Sequence, residues 1–279
     1  MSSTVRSRTS IVGTVSAVIL AVVFILPAVW ILVGSLRPTR EIFGSLSPLS
    51  WGILVPSSVS FDNYANLLAS GFAQALGNSF ITCLATVLIG VAVSTLASYA
   101  LAVLRFPGRS FAFGFIVISF MVPFEAIAIP LSQQFSEWGL ANTLAGLVLP
   151  AIGNGLAIFN LRQYFLSVPE SLREAARLDG AYEPRILWSI YLPNSGAALT
   201  NSALLIFLGQ WTSYLWPLLL ISDQSLQVAP VALAKTFTQY SADFGQNFAG
   251  AVLLSLVPAI LMFALQRFFG GVTMSSGEK

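Results

Sequence analysis

Histidine is absent from this 279-residue chain, and cysteine occurs once, at Cys83. Imidazole acid–base catalysis and Cys/His zinc centres are thereby excluded, and a single thiol cannot close an intrachain disulfide. Charge is nearly as scarce. Asp, Glu, Lys and Arg make up 9% of the residues and the net charge is +2, with no basic tract of the kind that binds nucleic acid. A phosphate-binding loop is missing too. Lys235-Thr236 is the one internal Lys-Thr pair, and no glycine precedes it at the positions of G-x-x-x-x-G-K-[ST]. Arg6 and Arg8 precede an apolar run as in a signal peptide, yet the run from Ile11 to Val33 is span-length and carries no A-x-A cleavage pattern. It reads as a retained first helix.

What the chain has in abundance is apolar sequence. Hydrophobic residues reach 56% and the mean hydropathy is +0.82, against about 45–50% apolar usage in soluble domains. The runs are long and unbroken, and six of them, near 11–36, 75–103, 110–131, 142–165, 198–221 and 245–269, suffice to cross a hydrocarbon core of about 30 Å. The expectation is an all-α polytopic membrane protein with six transmembrane helices. Basic residues orient it. With the N-terminus in the cytoplasm, that side receives Arg6, Arg8, Arg105, Arg109, Arg162, Arg173, Arg177, Arg185, Arg267 and Lys279, while the other receives Arg37, Arg40 and Lys235. Both termini are expected in the cytoplasm. Residues 1–74 then comprise a tail, the first helix and an external segment whose "FDNYANLLASGF" repeats apolar residues at helical spacing, as for a helix in the outer interface or a scaffold that caps the bundle. Residues 75–269 hold the core and 270–279 a second cytoplasmic tail. Cys83, in "SFITCLATVLIG", reads as a packing residue.

One stretch breaks the apolar pattern. From Arg162 to Arg185 lie eight of the chain's 24 charged residues. Within a loop of about 166–195, Pro169 and Glu170 suit the start of a helix and Gly180 supplies a left-handed stop. Pro184 then opens a second short helix, and Pro193 should end it, because a residue before proline is pushed from the α region. Leu172, Ala175, Ala176 and Asp179 are placed on one face, with two alanines permitting close approach. Arg173, Glu174 and Arg177 stand at its edges, available for charge-assisted bonds to a partner surface. Ile186, Leu187 and Ile190 point to the bundle. On these grounds alone, a rigid elbow and an ordinary amphipathic loop remain equal readings.

The pattern E-A-A from Glu174, Gly180 six residues on, and Ile190-x-Leu192-Pro193 resembles the "EAA loop" of the membrane-spanning subunits of binding-protein-dependent ABC importers. "FDNYANLL", "YALAVLRFPGRS", "MVPFEAIAIPL", "GLANTLAGLVLP" and "WTSYLWPLLL" extend the resemblance to the carbohydrate-importer permeases over most of the chain. The resemblance implies a type I ABC importer transmembrane fold in a bacterial plasma (inner) membrane, with the helix–turn–helix as cytoplasmic coupling elbow. It implies a homologous second permease, two cytoplasmic ATPase domains that hold ATP and Mg, and an external substrate-binding protein. This chain itself would carry no cofactor and no metal and would be a non-catalytic subunit, with Glu174, Ala175, Ala176, Asp179, Gly180, Arg173 and Arg177 at the ATPase contact.

A carboxylate inside a membrane segment is costly, which marks Glu125 in "VPFEAIAIP". Asn154, Gln210, Trp211 and Tyr214, with Asn160, form a further candidate set for a polar, aromatic pathway suited to sugar rings, although Trp and Tyr serve equally as interfacial anchors. A sugar or sugar derivative is the expected cargo; an amino-acid or peptide importer permease and an autonomous secondary transporter are the alternatives.

Overall fold

The structure is a computed structural model that describes residues 11–43, 55, 58–237 and 243–269. Arg6, Arg8, Lys279, the tail 270–279 and most of the Ser/Pro-rich part of the external segment lie outside the described residues. The described chain is helical, without strands. Its helices are α1 (Ile11–Ser35), α2 (Asp62–Leu67), α3 (Ala73–Ala102), α4 (Arg109–Met121), α5 (Phe124–Glu137), α6 (Leu144–Val148), α7 (Gly155–Ser167), α8 (Glu170–Leu178), α9 (Glu183–Ile186), α10 (Leu192–Asn194), α11 (Gly196–Trp211), α12 (Leu215–Leu220), α13 (Ala229–Lys235) and α14 (Phe244–Phe269). They fall into two compact units, one of the residues up to Ser70 with Leu233–Leu256, the other of Gly71–Ala232 with Val257 onward.

In the first unit α1 is apolar on every side and exposes Val18, Leu20, Val23 and Phe24. A helix of that kind belongs in lipid. The end of α1 is held by Asn63, whose amide donates to the Ser35 and Arg37 carbonyls at 2.9 and 2.7 Å, and by Tyr64, whose hydroxyl meets Ser35 Oγ at 2.7 Å. The "FDNYANLL" segment is thus tied to the end of α1. It runs through Gly71 (φ 97°) into α3, and Asp62–Ala102 forms one apolar stretch of 41 residues.

In the second unit α3, α7 and α11 pack on one another. The packed side of α3 is built of small and hydroxylated residues, with Ser79, Thr82, Cys83, Thr86, Ser94 and Ser98 all buried. Small side chains let apolar helices approach closely where lipid offers no hydrophobic drive. Cys83 is one of this set, as a packing residue should be.

Three expected spans are broken. The segment 110–131 splits at Pro123: α4 and α5 meet at 95°. Val122, forced extended by the following proline (ψ 122°), ends α4 before Pro123 opens α5. The segment 142–165 bends by 43° between α6, with its 3₁₀ turn through Ala151, and α7. The segment 198–221 is a 16-residue α11, then Thr212–Tyr214, then α12. At 1.5 Å per residue α11 alone spans about 24 Å, short of a hydrocarbon core of about 30 Å. Among the described residues three helices are long and apolar enough to cross a membrane, or up to five if each bent pair counts as one.

Candidate functional site

The charged stretch folds as a helix–turn–helix. Glu170 lies in the first turn of α8 and Arg177 in the last, each complementing its end of the helix dipole. Pro169 stands just outside α8, with extended ψ (128°), rather than in its first turn. At the far end Gly180 adopts φ 79°, and Gly180 and Ala181 donate to the Arg177 and Ala176 carbonyls at 3.0 and 2.9 Å. This is the glycine stop expected for a helix end needing a left-handed residue.

Pro193 does not end the second helix. Leu192 is α-helical (φ −63°, ψ −47°), and the helix continues from α9 through a π turn at Leu187–Tyr191 into α10. The widened turn absorbs the proline ring. Asn194 Nδ2 and Ser195 Oγ then donate to the carbonyls of Ile190 and Tyr191 at 2.7 and 2.6 Å.

The expected edge arginines both bond within the chain, Arg173 from a buried position and Arg177 from an exposed one. Arg173 is buried, and its guanidinium donates to Glu183 Oε1 at 2.9 Å. Arg177 reaches the same oxygen through Nε at 3.0 Å and again through its terminal nitrogen. The other oxygen, Oε2, accepts from the Tyr99 hydroxyl of α3 at 2.5 Å. Burial alone would raise the Glu183 carboxyl, but the hydrogen bonds from Tyr99, Arg173 and Arg177 and the charge of Arg173 outweigh it and hold it down at about 2. Around this hub the Tyr99, Phe165 and Tyr191 rings pack edge to face, at 5.1 to 6.3 Å, with Ile186, Leu187 and half-buried Ile190 beneath them.

Ala175 and Ala176 do not share one face. Ala176 packs on the Ile186–Leu187 core while Ala175 is exposed, since neighbours in a helix diverge by about 100°. Leu172, Glu174, Leu178 and Asp179 are exposed with Ala175. The Glu174 carboxylate is free of hydrogen bonds and ion pairs among the described residues, at the rim of a cavity of about 450 Å³ that also touches Arg105, Glu170, Arg173 and Arg177. Leu178 is 89% exposed and Tyr182, beyond the turn, 68%.

The candidate pathway residues divide. Asn154 Oδ1 caps α7 by accepting from the Ala157 N–H at 2.9 Å. Asn160 is bound to the Ala198 carbonyl and Ser202 Oγ. Trp211 is buried against Phe207, rings 5.5 Å apart and nearly parallel. Gln210 is half-buried, with its amide 3.4 Å from the Leu147 carbonyl. Glu125 and Tyr214 are exposed. They adjoin a cluster centred on Trp216, which packs edge to face on Phe124 and Phe135 and donates Nε1–H to the Gly146 carbonyl at 3.1 Å. Glu125 thus lies in the first turn of α5, Gln210 on α11 beside α6 and Tyr214 at the start of α12, while Asn154 caps α7 and Trp211 stacks on Phe207.

Residues 90–271 match the family described as binding-protein-dependent transport system inner membrane component. The chain belongs to this family. An arabinooligosaccharides transport system permease protein of Halalkalibacterium halodurans is 33% identical over 265 residues, 94% of each chain. An sn-glycerol-3-phosphate permease protein of Rhizobium meliloti is 30% identical over 274 residues, 95% of each. A lactose transport system permease protein of Rhizobium radiobacter is 30% identical over 275 residues, 96% of this chain and 97% of that one. A chain from the crystal structure of a bacterial ABC transporter, involved in the import of the acidic polysaccharide alginate, shares the fold. Its TM-score is 0.79 at 24% identity, over 95% of this chain and 99% of that one.

As an inner membrane component of such a transport system the chain is membrane-embedded and works with other transporter components. Sequence reasoning missed its internal hub. Glu183 and Tyr99 carried a signal only in hindsight: a glutamate flanking a turn ten residues from an arginine, and a tyrosine close to the end of an apolar helix.

Proposed function

We propose that this chain is the non-catalytic translocation subunit of an ATP-driven importer for a sugar or sugar derivative, and that its elbow is the seat of a partner ATPase. One observation carries the reading. Beside the Gly180 turn, the elbow presents exposed Leu178 and Tyr182 with an uncommitted Glu174 carboxylate, while Arg173 is buried and half-exposed Arg177 is committed to Glu183. An apolar pair beside a free charge suits a cleft with apolar walls and a basic rim. Ala175, Asp179 and Gly180 complete that surface, and Arg173 and Arg177 stiffen it from behind. In this reading the elbow moves as a rigid body when the ATPases close, and the bundle alternates its access. The full complex pairs this chain with a homologous permease, two ATPase domains holding ATP and Mg, and an external binding protein. Six passages with both termini in the cytoplasm complete the topology, counting α11 with α12 as one of them.

Glu125, Gln210 and Tyr214 are the pathway residues retained in this reading. They bring a carboxylate, an amide and an aromatic ring and no cation, which favours a neutral saccharide over a glycerol phosphate. The test is Glu174→Lys in the assembled, reconstituted complex. Membrane insertion should match wild type while ATPase co-purification, ATP hydrolysis and uptake fall together. Wild-type values for all three would leave the elbow as a solvated loop. Uptake screened across lactose, arabinose oligomers and glycerol 3-phosphate reports the cargo.

A further inference from the structure

The elbow is covalently continuous with α7 through Val168–Pro169 and with α11 through Ser195–Gly196, so those helices are pulled directly by any movement it makes. Helix α3 has no such junction. Its contacts with the elbow include the Tyr99 ring on Tyr191, 5.1 Å between centroids, and the neighbouring apolar cluster that includes Ala102 and Val103; three residues past its end, Arg105 pairs with Glu170 at 3.0 Å, an exposed bridge that contributes little. Apolar contacts tolerate sliding. A hydrogen bond to an ionised oxygen fixes both distance and direction. Among the described residues the one side-chain hydrogen bond from α3 to the elbow is Tyr99 hydroxyl to Glu183 Oε2, at 2.5 Å.

We propose that the Tyr99 hydroxyl is a positioning link that makes α3 follow the elbow. Its acceptor is held from behind: Arg173 and Arg177 both grip Glu183 Oε1, so the carboxylate moves with α8 as one body. Tyr99 is 5% exposed in an aromatic cluster that a phenylalanine would fill equally well, so packing does not require the hydroxyl. The hydroxyl instead ties the third helix of the α3–α7–α11 core to the element that carries the other two. Because α3 packs on both α7 and α11, an elbow that moved only those two would shear the core rather than reorient it. The inference rests on the elbow being the ATPase seat.

The test uses the full complex in vesicles, with Cys83→Ala as background and nitroxide labels at Phe80→Cys on α3 and Leu205→Cys on α11, both exposed positions. Label separation is measured with Mg-ATP and then with vanadate trapping. In the labelled parent α3 and α11 move as one body, so trapping should leave the separation unchanged, and a shift there overturns the proposal. With Tyr99→Phe added, α3 lags behind α11 and trapping should shift the separation. An unchanged separation in that variant also overturns the proposal. Phe165→Leu loosens the same core without touching the hydroxyl; a shift there equal to that of Tyr99→Phe would assign the link to packing and is equally fatal. If Tyr99→Phe does not assemble, Glu183→Asp reads the same link, since it keeps its charge near the arginines but draws back from Tyr99, and an unchanged separation there overturns the proposal as well. Co-purification of the ATPase with Glu174→Lys tests the ATPase seat on its own: wild-type recovery refutes that reading, so the two failures are separable.

Discussion

Arg173 and Glu183, ten residues apart in sequence, meet at 2.9 Å across the Gly180 turn, with the arginine side chain only 8% exposed. Breaking such a pair from one side leaves the other charge without compensation, at a cost of roughly 3–5 kcal/mol for a buried pair and toward the lower end where, as here, one partner keeps some water. Arg173→Ala should therefore lower the thermal midpoint of the purified complex. Arg177→Ala, whose side chain is 54% exposed, should do so much less. Equal effects would mean that burial of Arg173 is not what matters.

Acid should loosen the elbow. The Glu183 carboxyl falls from an ordinary 4.5 to about 2 in the folded chain. A depressed carboxylate contributes stability that is full above its unfolded pKa and is lost as pH falls toward the folded one. The thermal midpoint should thus decline between pH of about 4.5 and about 2, and Glu183→Gln should flatten that portion of the profile. An identical slope in the variant would show that Glu183 is not the group responsible.

At Gly180 the left-handed φ of 79° coexists with open space, since nothing lies within 4 Å of where a Cβ would stand. The cost of substitution is then conformational. Gly180→Asn should be tolerated, and Gly180→Val should cost about 1–2 kcal/mol and lower uptake. If asparagine proves as damaging as valine, the turn is constrained by a partner's surface and not by its own backbone.

Gly146 presents the opposite case. A Cβ there would stand 2.4 Å from the Leu140 carbonyl oxygen and 2.7 Å from a Leu220 methyl. Gly146→Ala forces the α6 backbone away from its neighbours, at roughly 1–3 kcal/mol, and disturbs the carbonyl that receives Trp216. Complex yield and thermal midpoint should both drop, whereas Gly209→Ala on α11, with nothing within 4 Å, should change neither.

Local chemistry and composition made much of this protein legible in advance. Long apolar runs announced a helical membrane protein because an unpaired backbone in lipid is too costly to leave open. Gly180 announced the turn because L-residues with a Cβ avoid its φ. The apolar side of the second elbow helix, Ile186 and Leu187, packs on the bundle as its spacing implied. What the tertiary structure decided were matters of partnership. Arg173 and Arg177 looked free because their acceptor lies beyond the turn, and periodicity on one helix does not reveal a carboxylate arriving from another. That Asn154 caps α7 and Trp211 stacks on Phe207 was likewise invisible in their residue types. Leu192 stayed helical before a proline because a π turn and two side-chain hydrogen bonds accommodate the ring. The 95° angle of the break at Pro123 depends on what α5 packs against, namely α12 and Trp216. Residue type and spacing fix what a side chain is able to do, and the choice among its possible partners is made by helices that are distant in sequence and close in space.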